Sequence, residues 1–344
     1  MKRRSFGMNS RGQAATLYTI ENTNGMVMEV TDFGATLVSL LVPDGKGRFL
    51  DVVLGYDDPT GYEGPGGTFF GATVGRNANR LAKGRFTING AEYHLDINNG
   101  SNNLHSGLDF QSFRVWDVKS AEGNSITFCL HSPDGDQGYP GALDIQVTYT
   151  LTEDNSVKID YYGVPQAETI INYTNHSYFN LNGHDSGPIT RHQVWLDADH
   201  YTPTDAESIP TGEIAPVEGT PMDFRTKKEV GRDIAQDFEA LNFGKGYDHN
   251  WCLNNNGKFA KVAELTSDIT GITMEVYTDL PGVQIYTANY VKNEAGKGGV
   301  VYQQRHGICF ETQYYPDTPN HPNFPSSLYK AGEVYQTTTT FKFL

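Results

Sequence analysis

Hydrophobic and polar positions alternate with a period of two along most of this chain. Successive side chains of a strand point to opposite faces, so such alternation predicts strands with one face on a core. TLYTIEN, the turn-like NTNG and MVMEVTDF predict a hairpin near the start. ATLVSLLVP runs into the glycine-rich DGKGR and returns through FLDVVLGY. In RFTI-NG-AEYHL, Asn89 and Gly90 separate two alternating runs. That is a strong hairpin signal, because a two-residue turn needs positive φ at both positions. ALDIQVTYTLT and SVKIDYYGV flank EDN, with Leu143, Ile145, Val147, Tyr149 and Leu151 on one face. VYQTTTTFKFL predicts a last strand.

Helical patterning is confined to KEVGRDIAQDFEALN, enough for one or two short helical turns. The proline- and threonine-rich stretch from Tyr201 to Asp223 has strand-like segments on both sides. It reads as a long excursion within one domain, 1–344, and not as a boundary. The 37 glycines, 16 prolines, 20 tyrosines and 18 phenylalanines suit many short strands and tight turns. The expected fold class is all-β, a large antiparallel β-sandwich with few short helices.

Charge narrows the partners. With 26 Lys+Arg against 41 Asp+Glu, the net charge is −15, which argues against nucleic acid or an anionic membrane. Cys129, Cys252 and Cys309 form no CxxC pair and no disulfide framework, which points to a reducing compartment. The basic start, MKRRSFGMNSRGQ, lacks the apolar run of a signal peptide, and no apolar stretch approaches a membrane span. A cytoplasmic location is expected.

Five stretches carry candidate chemistry. NYTNHSYFNL continues ETII, and 168–181 reads as one extended segment. Asn172, Thr174, His176, Tyr178 and Asn180 then share a face, a row of hydrogen-bonding groups centred on an imidazole. A solvated histidine on a strand edge is the plainer reading of that stretch alone. Within GATVGRNANRLAKGRF, GRNANR lacks the lysine and helix context of a phosphate loop, and is better read as a loop presenting Asn79 and Arg80 to the oxygens of a polyol. An arginine paired with a surface acid is the alternative. NNGSNNLHSG is a loop that delivers His105, which gains interest only if it converges with His176.

GYDHNW offers Asp248 as an acceptor of sugar hydroxyls, with the Trp251 ring as an aromatic face. A metal site there is weakly supported, since no other acid or histidine has ligand spacing. In GICFETQYYPD, Cys309, Glu311, Gln313 and Tyr315 share a face; burial would raise the Glu311 pKa, a nearby cation would lower it, and a rim glutamate with an ordinary pKa is the plainer reading. GVQIYT adds Gln284 as a polar contact.

Taken together, DFGATLVSLLVPD, GRNANR, NNLHSG, NYTNHSYFNL, GYDHNW, GVQIYT and ICFETQ resemble the aldose 1-epimerases, or galactose mutarotases, from about Leu17 to the C-terminus. One position departs: Ser106 replaces a member of the glycine pair that follows the first histidine in that family. The resemblance implies a mutarotase-like β-sandwich with an open sugar cleft. It implies Glu311 as the base that takes the anomeric hydroxyl proton and His176 as the acid that protonates the ring oxygen. Asn79, Arg80, His105, Asp248 and Gln284 match sugar-binding positions, and Tyr178 lies beside the acid. The implied reaction interconverts α and β anomers of free hexoses such as galactose and glucose by ring opening and closure. It demands neither metal nor organic cofactor.

Both groups must donate and accept near neutral pH, which suits a histidine and a tuned glutamate. Their functional atoms are expected roughly 4 to 8 Å apart across the sugar. Two other classes compete. A non-catalytic sugar-binding sandwich would need no acid–base pair. A glycoside hydrolase would use two carboxylates, for which Asp248 and Glu311 are available. The expected partner is a neutral monosaccharide, with no nucleic acid and no membrane, and the assembly a monomer or homodimer.

Overall fold

The alternating segments fold into three large antiparallel sheets and five two-stranded ones in a computed structural model that describes residues 1–64 and 68–344. The hairpin near the start pairs Ala14–Glu21 with Val27–Thr31, which continues to Thr36–Pro43 and Phe49–Asp51. A strand not anticipated from the basic N-terminal residues, Lys2–Met8, forms the outer edge of this five-stranded sheet. Its first four residues are exposed, so its sequence carries little of the apolar alternation that marks the others.

A nine-stranded sheet is built around Leu143–Leu151, Ser156–Pro165 and Tyr335–Phe343. Leu143–Leu151 and Tyr335–Phe343 bury every second residue, as the alternation predicts. The turn between the first two strands places Asn155 at φ 60°. The expected two-residue hairpin is also present: Asn89 and Gly90 adopt φ 50° and 81° between Arg85–Ile88 and Ala91–His94. The KEVGRDIAQDFEALN segment is less helical than its length, with a 3₁₀ turn at Val230–Arg232 and an α-helix at Glu239–Gly244. Residues 201–223 hold only the end of His200–Tyr201 and the short strand Ala215–Pro216, and otherwise run as turns.

The six-stranded sheet places the site. Its order is Tyr178–Phe179, Ile308–Gln313, Gly282–Tyr286, Asp248–Cys252, His200–Tyr201, Ala215–Pro216. Four of these strands, Tyr178–Phe179, Asp248–Cys252, Gly282–Tyr286 and Ile308–Gln313, are buried at every position. One face supplies Trp251, Val283, Ile285, Ile308 and Phe310 to the main apolar cluster, where they meet Val147, Ile159 and Phe341 of the nine-stranded sheet and Met28 and Leu40 of the five-stranded sheet. The other face is polar and is buried beneath loops. The three cysteines are free thiols. Among the described residues, no helix is long and apolar enough to cross a membrane.

Candidate active site

Strand register decides which polar groups stand together. Residues directly opposite across a ladder share a face. Asn250 pairs with Gln284, and Gln284 with Glu311. One step along, Asp248 pairs with Tyr286, Tyr286 with Cys309, and Cys309 with Tyr178. Residues far apart in the chain thus become two adjacent rows. Asp248, Tyr286, Tyr178 and Glu311 line a cavity of about 590 Å³, together with Asn79, Arg80, His105 and His176.

The segment 168–181 is not one extended strand. It breaks into Thr169–Ile170, Thr174–Asn175 and Tyr178–Phe179, each in a different sheet. Every residue from Thr169 to Leu181 is buried, so neither of its faces is solvated. Simple alternation misplaces such a segment because its side-chain amides satisfy the irregular backbone. Asn175 accepts from the Ser177 N–H and donates to the Gly71 carbonyl, and Asn172 accepts from the Tyr314 N–H.

His176 sits between two strand fragments with its ring near-parallel to Tyr178, at 5.1 Å between centroids, and edge-on to His105 at 5.5 Å. Phe69 lies on a further side at 5.9 Å. Its Nδ1 is 3.6 Å from the Cys309 sulfur, and its Nε2 is 3.5 Å from Glu311 Oε2. That separation is shorter than the expected span across a sugar. The anomeric oxygen and the ring oxygen are bonded to the same carbon, so an acid and a base serving them belong side by side at one edge of the ring.

Burial sets the protonation of this pair. It raises the Glu311 carboxyl well above its ordinary range; the Asp248 charge adds to this and Arg80 opposes it. The same burial pushes His176 down to about 4, against the Asp248 charge, which favours the imidazolium. The uncharged form, a carboxylic acid beside a neutral imidazole, is therefore favoured, and it holds one transferable proton.

Arg80 and His105 are joined by a two-residue ladder, Arg80–Leu81 against Asn103–Leu104. The Asn79 N–H donates to His105 Nδ1 at 3.1 Å, and the His105 N–H donates to the Asn79 carbonyl at 3.0 Å. Asn79, His105 and Ser106 all have positive φ, at 65°, 54° and 81°. Ser106 holds this strained turn with its hydroxyl, which accepts from the Asn77 N–H at 2.7 Å and from Tyr139 at 3.3 Å and donates to the Asn77 carbonyl. Arg80 is in no ion pair among the described residues; its Nε donates to Asn99. The other arginine of GRNANR, Arg76, is fully buried against the carbonyls of Ser132, Pro140 and Gly141. Gly75 is small because the Tyr173 ring would lie 2.0 Å from a Cβ there. The glycines of this segment serve packing.

Gln284 is not among the cavity-lining residues. Its Nε2 donates to Asp248 Oδ1 at 2.8 Å, orienting that carboxylate from behind. Trp251 is not an aromatic face for the site. It is buried on the core side of the sheet, with its indole N–H on the Met222 carbonyl. An odd offset from Asp248 puts it on the opposite face. The aromatic walls are Phe69, Tyr178, Tyr286 and Tyr290. Phe69 and Tyr290 carried no sequence signal, whereas Tyr286 stands two residues after Gln284 in GVQIYT. The 201–223 excursion reaches the cavity mouth: Glu207 lines it and accepts from Ser101 and Asn102 of the His105 loop.

His105, His176 and Glu311 bring one ligand-type atom each within 4.8 Å of one another. The hydrogen bonding does not suit a metal. The Asn79 N–H occupies the lone pair of His105 Nδ1, so the neutral ring carries its hydrogen on Nε2. Burial, with the charges of His176 and Arg80, holds the His105 pKa well below its ordinary value. The ring is thus a neutral donor, suited to a sugar oxygen.

Comparisons with known proteins place the chain in a family. The aldose 1-epimerase family profile matches residues 16–342. The chain is 44% identical to a galactose mutarotase of Mus musculus over 319 residues, 92% of this chain and 90% of the relative. It is 40% identical to an aldose 1-epimerase of Haemophilus influenzae over 337 residues, 96% of each chain. Among solved structures, an aldose epimerase homologue from C. elegans superposes with a TM-score of 0.87 at 28% identity, covering 96% of this chain and 99% of that one. A galactose 1-epimerase from Lactobacillus acidophilus gives 0.86 at 28% identity, covering 100% and 99%. This chain belongs to the aldose 1-epimerase family.

Proposed function

We propose that the protein is a mutarotase that interconverts the α and β anomers of free hexoses, galactose and glucose among them, with Glu311 and His176 as the acid–base pair. The observation that carries this reading is the 3.5 Å approach of His176 Nε2 to Glu311 Oε2 at the wall of a cavity of about 590 Å³, with room for a hexose. Transfer of their shared proton from Oε2 to Nε2 gives a carboxylate and an imidazolium. The carboxylate takes the proton of the anomeric hydroxyl while Nε2–H protonates the ring oxygen. The C1–ring oxygen bond breaks to give an aldehyde and a free hydroxyl. Rotation about C1–C2 presents the other carbonyl face. Closure then reverses both proton transfers, and the pair ends with the proton it began with.

Arg80, Asn79, His105, Asp248 and Tyr178 hold the sugar, and Gln284 holds Asp248. Polarimetry of freshly dissolved α-galactose and α-glucose tests the reading. Micromolar protein speeds the approach to anomeric equilibrium. No acceleration above buffer would leave only sugar binding.

A further inference from the structure

His176 can shuttle a proton at Nε2 only if Nδ1 keeps its own. Nε2 is the nitrogen beside Glu311, while Nδ1 is turned into the sheet, where the Cys309 sulfur lies 3.6 Å away. It is the side-chain hydrogen-bonding atom at Nδ1 among the described residues, and the ring is also hydrogen-bonded to its own backbone, which favours the imidazolium. Cys309 is fully buried, and register fixes its place: it pairs with Tyr178 on one side and Tyr286 on the other.

We propose that Cys309 is a positioning residue for the reaction: its sulfur accepts the Nδ1–H of His176, holding the imidazole in the tautomer whose Nε2 faces Glu311 and the sugar. This rests on the role given to His176 above. The arrangement is the same in both halves of the cycle. The imidazolium and the neutral ring that remains after Nε2 gives up its proton both carry Nδ1–H. The thiol keeps its own hydrogen throughout, since burial and the nearby Glu311 and Asp248 raise its pKa well above the ordinary thiol value.

The choice of sulfur has a consequence. A thiol sulfur is a weak acceptor. It orients the ring without stabilising the imidazolium strongly, whereas a carboxylate at Nδ1 stabilises the cation. The remaining groups around the ring are Glu311, the neutral His105, and Tyr178 and Tyr286; the Asp248 charge acts on His176 itself and the Arg80 charge on Glu311 and His105. With a weak partner at Nδ1, His176 stays acidic enough to protonate a ring oxygen that is itself a poor base.

The test compares Cys309→Ser, Cys309→Val and Cys309→Ala. Serine keeps an acceptor, valine keeps apolar volume, and alanine keeps neither. Valine and alanine are expected to lower kcat by about ten- to a hundredfold with KM little changed, the scale of a misdirected catalytic group. Serine is expected to recover most of kcat. Its oxygen is the better acceptor, so it also moves the pH profile of kcat/KM toward higher pH, while alanine moves it lower. Nitrogen NMR of His176 reads the tautomer without turnover: Nδ1–H in the wild type and serine variant, lost in valine. If valine restores what alanine loses and serine does not, or if no variant changes kcat or the tautomer, the sulfur only fills space and the assignment fails. His176→Asn is the control. If that variant retains wild-type mutarotation, the role of His176 falls, and the Cys309 results no longer bear on catalysis.

Discussion

Glu311 shows at a single residue how function opposes stability. Its folded pKa is raised, so the fold gains from its protonation only below the unfolded value, and loses that gain as pH rises through the folded pKa. At neutral pH the buried carboxyl is therefore a cost to folding. Glu311→Gln is expected to abolish most of the activity, by about a hundred- to ten-thousandfold in kcat, and yet to raise the urea midpoint at pH 7 and not at pH 4. A midpoint unchanged at pH 7 would mean that the carboxyl is not desolvated. Arg80 lies at the other end of the range. Its guanidinium faces the cavity with one N–H on Asn99, leaving the rest of the fork for a sugar. Arg80→Ala is expected to raise KM by about ten- to a hundredfold, as for loss of a charge-assisted hydrogen bond, with kcat far less affected. Steady-state polarimetry separates the two, and a fall in kcat at unchanged KM would place Arg80 in the chemistry and not in binding.

At the scale of elements, what was legible follows the regularity of the backbone. The hairpins at 14–31, 85–94 and 143–165 carry period-two patterns and turn residues with positive φ, and they lie where those signals put them. Glu311 and Cys309 were placed on one face because Ile308–Gln313 is a true strand. Where the chain is irregular, alternation misleads. His176 lies in a segment that passes through three sheets, and GRNANR gives no hint that Arg76 is buried. The partners of Arg76, the carbonyls of Pro140 and Gly141, come from distant chain and have no sequence signature. The loop pair 77–80 and 103–106 makes a prediction of its own. Ser106 combines a left-handed backbone with a hydroxyl that satisfies the Asn77 N–H. Ser106→Ala leaves that buried donor unpaired and keeps the backbone strain, so a loss of about 1–3 kcal/mol is expected. Ser106→Gly loses the same bond but relieves the φ of 81°, and should be milder. Urea unfolding of the two variants measures the order, and alanine milder than glycine would show that the left-handed backbone at 106 carries no strain.

Across the whole molecule, histidines are buried well away from the cavity as well as beside it. His192 and His249, like His176, are pushed down to about 4 by burial, and each is at most 1% exposed. For a histidine depressed in this way the stabilisation is complete above the unfolded value near 6.5. It is lost as pH falls toward the folded value, because the unfolded chain then binds the extra proton. Carboxyls raised by burial, such as Asp32, Asp279 and Glu311, work in the opposite sense, so the slope of the whole protein mixes both. A difference between two chains isolates one group. His192 lies outside the cavity, accepting the Leu181 N–H at Nε2 and facing Asp268 at Nδ1. Glutamine can return an acceptor to the Leu181 N–H but does not titrate. His192→Gln is therefore expected to be less stable than the parent at pH 7. The gap should narrow by up to about 2 kcal/mol between pH 7 and pH 5 as the parent loses its linkage term. Urea midpoints at the two pH values decide it. A gap of constant size would mean that His192 is protonated equally in the folded and unfolded chains, and that its burial does not govern its charge.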